Sequence, residues 1–339
     1  MEKKPLVKGH INTTYNYSFN DPLSGSIPFR LYATDHNTFV LNTVHIELSG
    51  SITEGYWYMV QTDYGSDALI NTRDASSGTP DDFDVQEAYL TYQCMFTDMI
   101  SFKAGKFSYM GGVEKLESPE NISVTRGLIR SLARPLTYTG FMSKTRFSDM
   151  WKVKLGVVNG LDRTTDNNDA KTGIWYLGYS SYDNMVTFNV AGSYGAENAN
   201  NNRDHRTQVD VVHTVKFNES CMAGIEYTYG EEESGSVIPS STDAQWQGLG
   251  VQSKIGLTDM VSIGGRYEYL EDDDGALTGS KKILKNVSIT PAVKMSESVT
   301  VRAEYRYDWS NRDNIFEDDR GVFNKDTMNT ASVEFLYQF

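Results

Sequence analysis

Large apolar and polar residues alternate one by one along most of this chain. The C-terminal segment carries Ala331, Val333, Phe335, Tyr337 and Phe339 on one side, with Ser332, Glu334 and Gln338 on the other and Leu336 an exception. Val299, Val301, Ala303, Tyr305 and Tyr307 likewise alternate with Thr300, Arg302, Glu304, Arg306 and Asp308. The same period of two recurs in 11–19, 151–157, 186–194 and 261–269. It is the signature of a strand with two unlike faces, and helical periodicity is almost absent. The pattern predicts strands over 7–19, 37–49, 55–64, 83–94, 99–106, 137–147, 151–160, 171–181, 185–194, 206–217, 221–229, 244–257, 260–269, 282–294, 299–309 and 327–339.

The connections sort into two kinds. Short ones repeat one chemistry, a large apolar residue before a polar turn: Phe96-Thr-Asp-Met99, Phe147-Ser-Asp-Met150, Tyr182-Asp-Asn-Met185, Leu257-Thr-Asp-Met260. Asp, Asn and Ser favour such turns because their side chains bond nearby backbone. Long connections (20–36, 65–82, 107–136, 160–170, 195–205, 230–243, 270–281, 310–325) hold more than half of the carboxylates. A soluble sandwich would also alternate, but its turns would not sort this way. Short turns at one end and long loops at the other are the plan of an outer-membrane barrel. Closure then pairs every backbone group, so no strand edge faces lipid. The expected fold is all-β: a single closed antiparallel transmembrane β-barrel over 1–339, about sixteen strands, with both termini on the periplasmic, short-turn side. Pro291 is an objection, because it cannot donate to a ladder.

Composition supports this and excludes other classes. Of 339 residues 39% are hydrophobic, mean hydropathy is −0.46, and no run approaches the ~20 apolar residues of a membrane helix. Aromatics at 12% argue against disorder, and a net charge of −14 argues against nucleic acid. Tyr, Phe and Trp near strand ends suit interfacial girdles. Cys94 and Cys221 are too few for a disulfide framework or zinc site and are expected too far apart to bond. Met1-Glu2-Lys3-Lys4-Pro5 is not followed by a signal-length apolar stretch, as in a cytosolic chain or one whose leader has been removed.

Several segments, in order, resemble the OmpL-like putative β-barrel porin family of bacterial outer membranes: DHNTFVLN at 35–42, VQEAYLTY at 85–92, AGKF at 104–107, ESPEN at 117–121, Arg126-Gly127, Pro135 to Thr139-Gly140, VNG at 158–160, EDDDG at 271–275 and RAEYRYDW at 302–309. The resemblance implies an outer-membrane location and a pore. It implies no catalytic residue and no particular substrate. Tyr337-Gln-Phe339 is similar to the C-terminal aromatic signal of such barrels.

Alternation assigns the pore wall. Lys103, Lys144, Arg146, Lys152, Lys154, Lys216, Lys254, Arg266, Lys294, Arg302 and Arg306 point inward, as do Glu47, Asp63, Glu87, Asp210, Glu226, Glu268, Glu304, Asp308 and Glu334. The near balance predicts cross-strand charge pairing, which also orients and selects ions. The longest connection, 107–136, carries Glu114, Glu117 and Glu120, then Arg126, Arg130 and Arg134. Arginines four apart share one face of a helix, and Pro135 would stop that helix. This segment is expected to fold inward as the constriction, with arginines on one side of the pore and carboxylates facing them.

No cofactor, metal site or enzymatic activity is expected. Among His10, His36, His45, His205 and His213 there is no HExxH, and no Gly-x-Ser-x-Gly occurs. Asp272-Asp-Asp-Gly275 lacks EF-hand ligands at its ends. The acidic loops suit a solvated outer face or cation bridges to lipopolysaccharide. The reading is a passive diffusion porin for small hydrophilic solutes and ions, in outer-membrane lipid, with a homotrimer expected by analogy. Alternatives are a substrate-specific channel for an anion or oligosaccharide, and a structural or adhesive barrel with a plugged lumen.

Overall fold

The computed structural model describes residues 4–72, 81–237 and 243–339. Its first half holds β1 (Leu6–Ser18), β2 (Thr38–Thr53), β3 (Tyr56–Tyr64), β4 (Phe83–Gln93), β5 (Ile100–Ser108), β6 (Thr137–Arg146), β7 (Trp151–Val158) and β8 (Thr172–Ser180). The second half holds β9 (Val186–Ala196), β10 (His205–Lys216), β11 (Met222–Glu232), β12 (Ala244–Gly256), β13 (Val261–Asp272), β14 (Lys282–Lys294) and β15 (Val299–Ser310). A small hairpin of β16 (Phe316–Glu317) and β17 (Phe323–Lys325) precedes β18 (Thr327–Gln338). Apart from that hairpin, each strand pairs with its sequence neighbours, and β1 closes on β18, giving a sixteen-stranded antiparallel barrel. The closing seam sets Tyr15 opposite Val333, and Gly9 and Phe339 exchange two backbone hydrogen bonds of 3.0 Å.

The strand count and the short and long ends follow the alternation. β2 extends four residues past the expected end, because β2 and β3 are joined by Glu54-Gly55 alone, with Gly55 at φ +79°. Such a two-residue turn needs a left-handed backbone that glycine supplies without steric cost. Pro291 sits where its chemistry predicts a gap: the β14–β15 ladder runs to Ile289↔Tyr305 and resumes at Ala292↔Arg302.

The outer face is a belt of exposed apolar side chains, among them Phe141, Leu155, Val157, Ile225, Val251, Ile289 and Phe335. Stacked or tilted rings at strand ends, such as Tyr56–Tyr92 and Trp151–Tyr179, lie at its border. Burial inside the molecule is mostly polar. Asn16, Asp210, Thr228, Asn286, Arg306 and Glu334 are all nearly inaccessible. Small apolar clusters occupy the rest: Phe107, Tyr138, Met142, Val158 and Ile174 inside β5–β8, and Leu128, Ala133, Trp246, Leu270 and Leu284 where a loop packs on β12–β14. Cys94 and Cys221 are free thiols.

Candidate functional site

The connection from β5 to β6 runs into the barrel and is bonded along its length to β10–β18. Glu226 on β11 accepts from Val113 N (2.7 Å). Glu268 on β13 accepts from Leu128 N (2.5 Å) and Ile129 N (3.3 Å). Glu304 on β15 accepts from Val124 N (2.7 Å) and Thr125 N (3.0 Å), and Glu334 on β18 from the Ser118 hydroxyl. In return Arg266 donates to Thr125 O (2.6 Å), Arg302 to Ser118 O (3.1 Å) and Arg306 to Arg126 O (2.8 Å). Barrel carboxylates take loop amides and barrel guanidinium groups take loop carbonyls, so much of this irregular backbone is satisfied by the wall itself. That satisfaction is what permits irregular backbone inside a barrel.

Arg266, Glu268, Arg302, Glu304 and Arg306 are therefore buried beneath the loop, where alternation alone assigned them to the pore wall. The arginine expectation changes as well. Leu128–Leu132 is the segment's one α-helical turn (α2), beside a 3-10 turn at Ser118–Glu120, so Arg126 and Arg134 flank it and the three do not share a helix face. All three are buried. Arg126 donates to Lys115 O (3.1 Å) and lies 5.4 Å from the centre of the Tyr32 ring. Arg130 donates to Pro135 O (2.9 Å). Arg134 pairs with Asp210 (2.9 Å) and Glu226 (3.0 Å). Among the acids, Glu114 pairs with Arg266 (2.7 Å) and accepts from Gly127 N (2.7 Å). Lys115 and Glu120 are the loop's exposed charges. Opposed arginines and carboxylates thus lie within and behind the loop, not across a gap.

Glu117 ties the loop to β1 and β2. Its carboxylate lies 3.4 Å from His10 Nε2 and 3.4 Å from His45 Nδ1, and His45 also contacts Asp63 at 2.7 Å. The two imidazole rings stack at 4.9 Å. Burial pushes the Glu117 carboxyl up to about 7, against the opposing pull of His45. Among the described residues, His10, His45 and Glu117 are a group whose ligating atoms, within 4.8 Å of one another, could hold a metal ion. Sequence reading missed it, because Glu117 is remote from both histidines and only the inward fold unites them.

The other half of the wall is uncovered. Lys103, Lys144, Lys152 and Lys154 keep partial exposure on β5–β7, with Tyr89 and Tyr176 beside them. A cavity of about 430 Å³ lies between β1–β4 and the loop, bounded by Glu47, Glu87, Glu114, Lys115, Glu117 and Glu120. A second, of about 330 Å³, lies on the long-loop side, lined by Leu132, Arg134, Asp162, Arg206 and Trp246. A third, also about 330 Å³, lies near the short turns, lined by Glu120, Lys254, Arg302 and Gln338. The second shares Leu136 with the first, and the third shares Pro119, Glu120 and Gln338 with it.

The profile of the family described as "Putative beta-barrel porin-2, OmpL-like" matches residues 6–339. No curated protein sequence matches the chain. Solved structures similar to it include an anion-selective porin from Comamonas acidovorans (TM-score 0.70, 9% identity, 99% of each chain covered). The outer-membrane channel DcaP of Acinetobacter baumannii has a TM-score of 0.66 at 12% identity, over 100% of this chain and 99% of that one. The trimer form of OmpT, an outer membrane protein of Vibrio cholerae, has a TM-score of 0.64 at 12% identity over 100% of both. At these identities the likeness concerns the fold.

Proposed function

This chain belongs to the OmpL-like putative β-barrel porin-2 family of the outer membrane, and we propose that its diffusion path runs between the inward loop and the exposed wall of β4–β9. As an outer-membrane porin it passes small hydrophilic solutes passively. The observation that carries the path is the asymmetry of cover. On β11–β18 Glu226, Arg266, Glu268, Arg302, Glu304, Arg306, Asp308 and Glu334 are buried, with only Lys254 and Lys294 near the short turns exposed, whereas the charges on β5–β7 remain in contact with water. The loop sets the size limit from one side, with Lys115 and Glu120 as its exposed charges. Glu114, Glu117, Arg126, Arg130 and Arg134 act by holding that edge in place. Lys144, Arg146, Lys152 and Lys154 line the path itself. We also place three copies in the functional unit, as in the trimer form of the V. cholerae protein, with lipid and lipopolysaccharide around them.

Refolded protein in planar bilayers tests this. Ohmic single-channel steps, in groups of three for a trimer, are expected. Deleting 112–132 should enlarge each step severalfold. Absence of steps would indicate a plugged barrel, and steps unchanged by the deletion would place the constriction elsewhere.

A further inference from the structure

The inner wall carries its charge in two unlike halves. Five consecutive strands, β5 to β9, contain no Asp or Glu at all. Three of them send Lys103, Lys144, Arg146, Lys152 and Lys154 inward. Lys144 stands directly opposite Lys154, and Arg146 directly opposite Lys152. Like charges in directly opposed positions repel, at Cβ separations of ~5 Å. Among the described residues, no carboxylate lies within salt-bridge distance of Lys103, Lys144, Lys152 or Lys154. Two of them lie over rings: Lys103 Nζ is 3.5 Å from the centre of Tyr89, and Lys154 Nζ is 4.8 Å from that of Tyr176. Lys103, Lys144, Lys152 and the loop's exposed Lys115 all lie within electrostatic range of Lys154. Glu87, the acid on Lys103's side, is already engaged as acceptor of Ser108 N.

A water-filled wall of cations without protein counterions takes its counterions from solution. On β13–β18 the opposite holds, since Arg266, Arg302 and Arg306 meet Glu114, Glu334 and Asp308. The near balance of the whole wall therefore conceals a basic stretch on β5–β7 that keeps contact with water, while acids such as Glu47, Glu87 and Glu120 border the cavity beside β1–β4. Ammonium groups gathered on neighbouring strands suit the several oxygens of one compact polyanion. The side chains are lysines, point charges on flexible stems, which bind and release faster than a bidentate guanidinium fork. That suits passage, which requires binding weak enough to leave.

Resting on the pore reading above, we propose that Lys103, Lys144, Lys152 and Lys154, with Lys115 facing them, form a binding track for small polyvalent oxyanions, phosphate- or carboxylate-bearing, and make the channel anion-selective. The acidic loops at the mouth act against entry only within a screening length, ~8 Å at physiological salt.

The test is the reversal potential of single channels in a KCl gradient, followed by titration with pyrophosphate, citrate and acetate. At low salt, a unit charge ~8 Å from an ion changes its local concentration roughly twofold, so three lysines together give roughly eightfold. Wild-type channels are expected to prefer chloride and to show saturable block by pyrophosphate and citrate but not acetate. Block by pyrophosphate alone would narrow the ligand to phosphates, block by citrate alone to carboxylates. The triple variant Lys103→Gln, Lys144→Gln, Lys154→Gln should lose the block and shift its reversal potential toward potassium, as its local chloride concentration falls roughly eightfold. Lys171→Gln, in an exposed loop, should change neither. Open wild-type channels that prefer potassium, or block that survives the triple variant, would overturn the track. If wild-type protein forms no channel, the pore reading fails by itself. Calorimetry of pyrophosphate with the detergent-folded barrel then decides the track: heat lost in the triple variant supports it, and no heat in the wild type refutes it.

Discussion

Single residues show how polar burial is tolerated here. Asp67 in α1 (Ser66–Asn71) is fully enclosed between β2 and β4, accepting from Asn42 Nδ2 (3.2 Å) and Thr43 Oγ1 (3.1 Å). Burial outweighs these bonds and the attraction of Arg126, and pushes its carboxyl up to about 6. A carboxyl whose folded value lies above its unfolded one favours docking in its protonated form. Its contribution is complete below about 4, declines between about 4 and 6, and is gone above that. Docking of α1 should therefore tighten on acidification, by about 3 kcal/mol at most. A spin label at position 69 should become less mobile from pH 7 to pH 4, and Asp67→Asn should abolish the change. Gly127 is a second such point. A Cβ there would lie 2.2 Å from both Glu268 carboxylate oxygens, although its φ of −70° suits any residue. Gly127→Ala should push Glu268 away from Leu128 N, and the same labelling approach at Ser131 should report a looser α2.

At the level of elements, β-strands were legible in the sequence and the inward loop was legible only in part. Alternation such as Val301-Arg302-Ala303-Glu304 reports each strand's two surroundings directly, because a one-residue slip would reverse every side chain. The loop's length and composition pointed inward. Its arginine spacing misled, because Arg126, Arg130 and Arg134 are held by Lys115 O, Pro135 O and Asp210 in turn, and their four-residue period has no part in that. Partners such as Glu304 for Thr125 lie 179 positions away, beyond any local pattern. The basic half of the wall was visible residue by residue, and was lost when charges were summed around the whole barrel. Glu304 joins the loop amides to Arg266 (3.5 Å), so Glu304→Ala should strand both. Removing one partner of such a buried set costs ~3–5 kcal/mol. The expected outcome is a folded barrel with larger, noisier conductance steps.

The whole molecule inverts the usual arrangement, with its apolar belt outside and a hydrogen-bonded polar interior. Ala303 is exposed on that belt between the buried Arg302 and Glu304. Ala303→Arg should destabilise the folded barrel by ~2–4 kcal/mol if the position lies near the bilayer midplane, as urea titration in lipid vesicles can measure. Glu304→Ala, by contrast, should leave the lipid-facing belt unchanged.

The seam between β1 and β18 sets the order of assembly. Its pairs, from His10↔Gln338 to Ser18↔Thr330, are the most distant in sequence of any ladder in the wall. The other fifteen ladders join strands adjacent in the chain, apart from β15 and β18, which only a small hairpin separates. Neighbouring hairpins can therefore form without the seam, while β1 keeps one bare edge until β18 pairs with it. Loop closure over so long a chain is slow, and an unpaired edge is a template for wrong partners. The molecule's most vulnerable moment is its final one, and whatever holds β1 apart from other chains until then governs how much of it reaches the membrane intact.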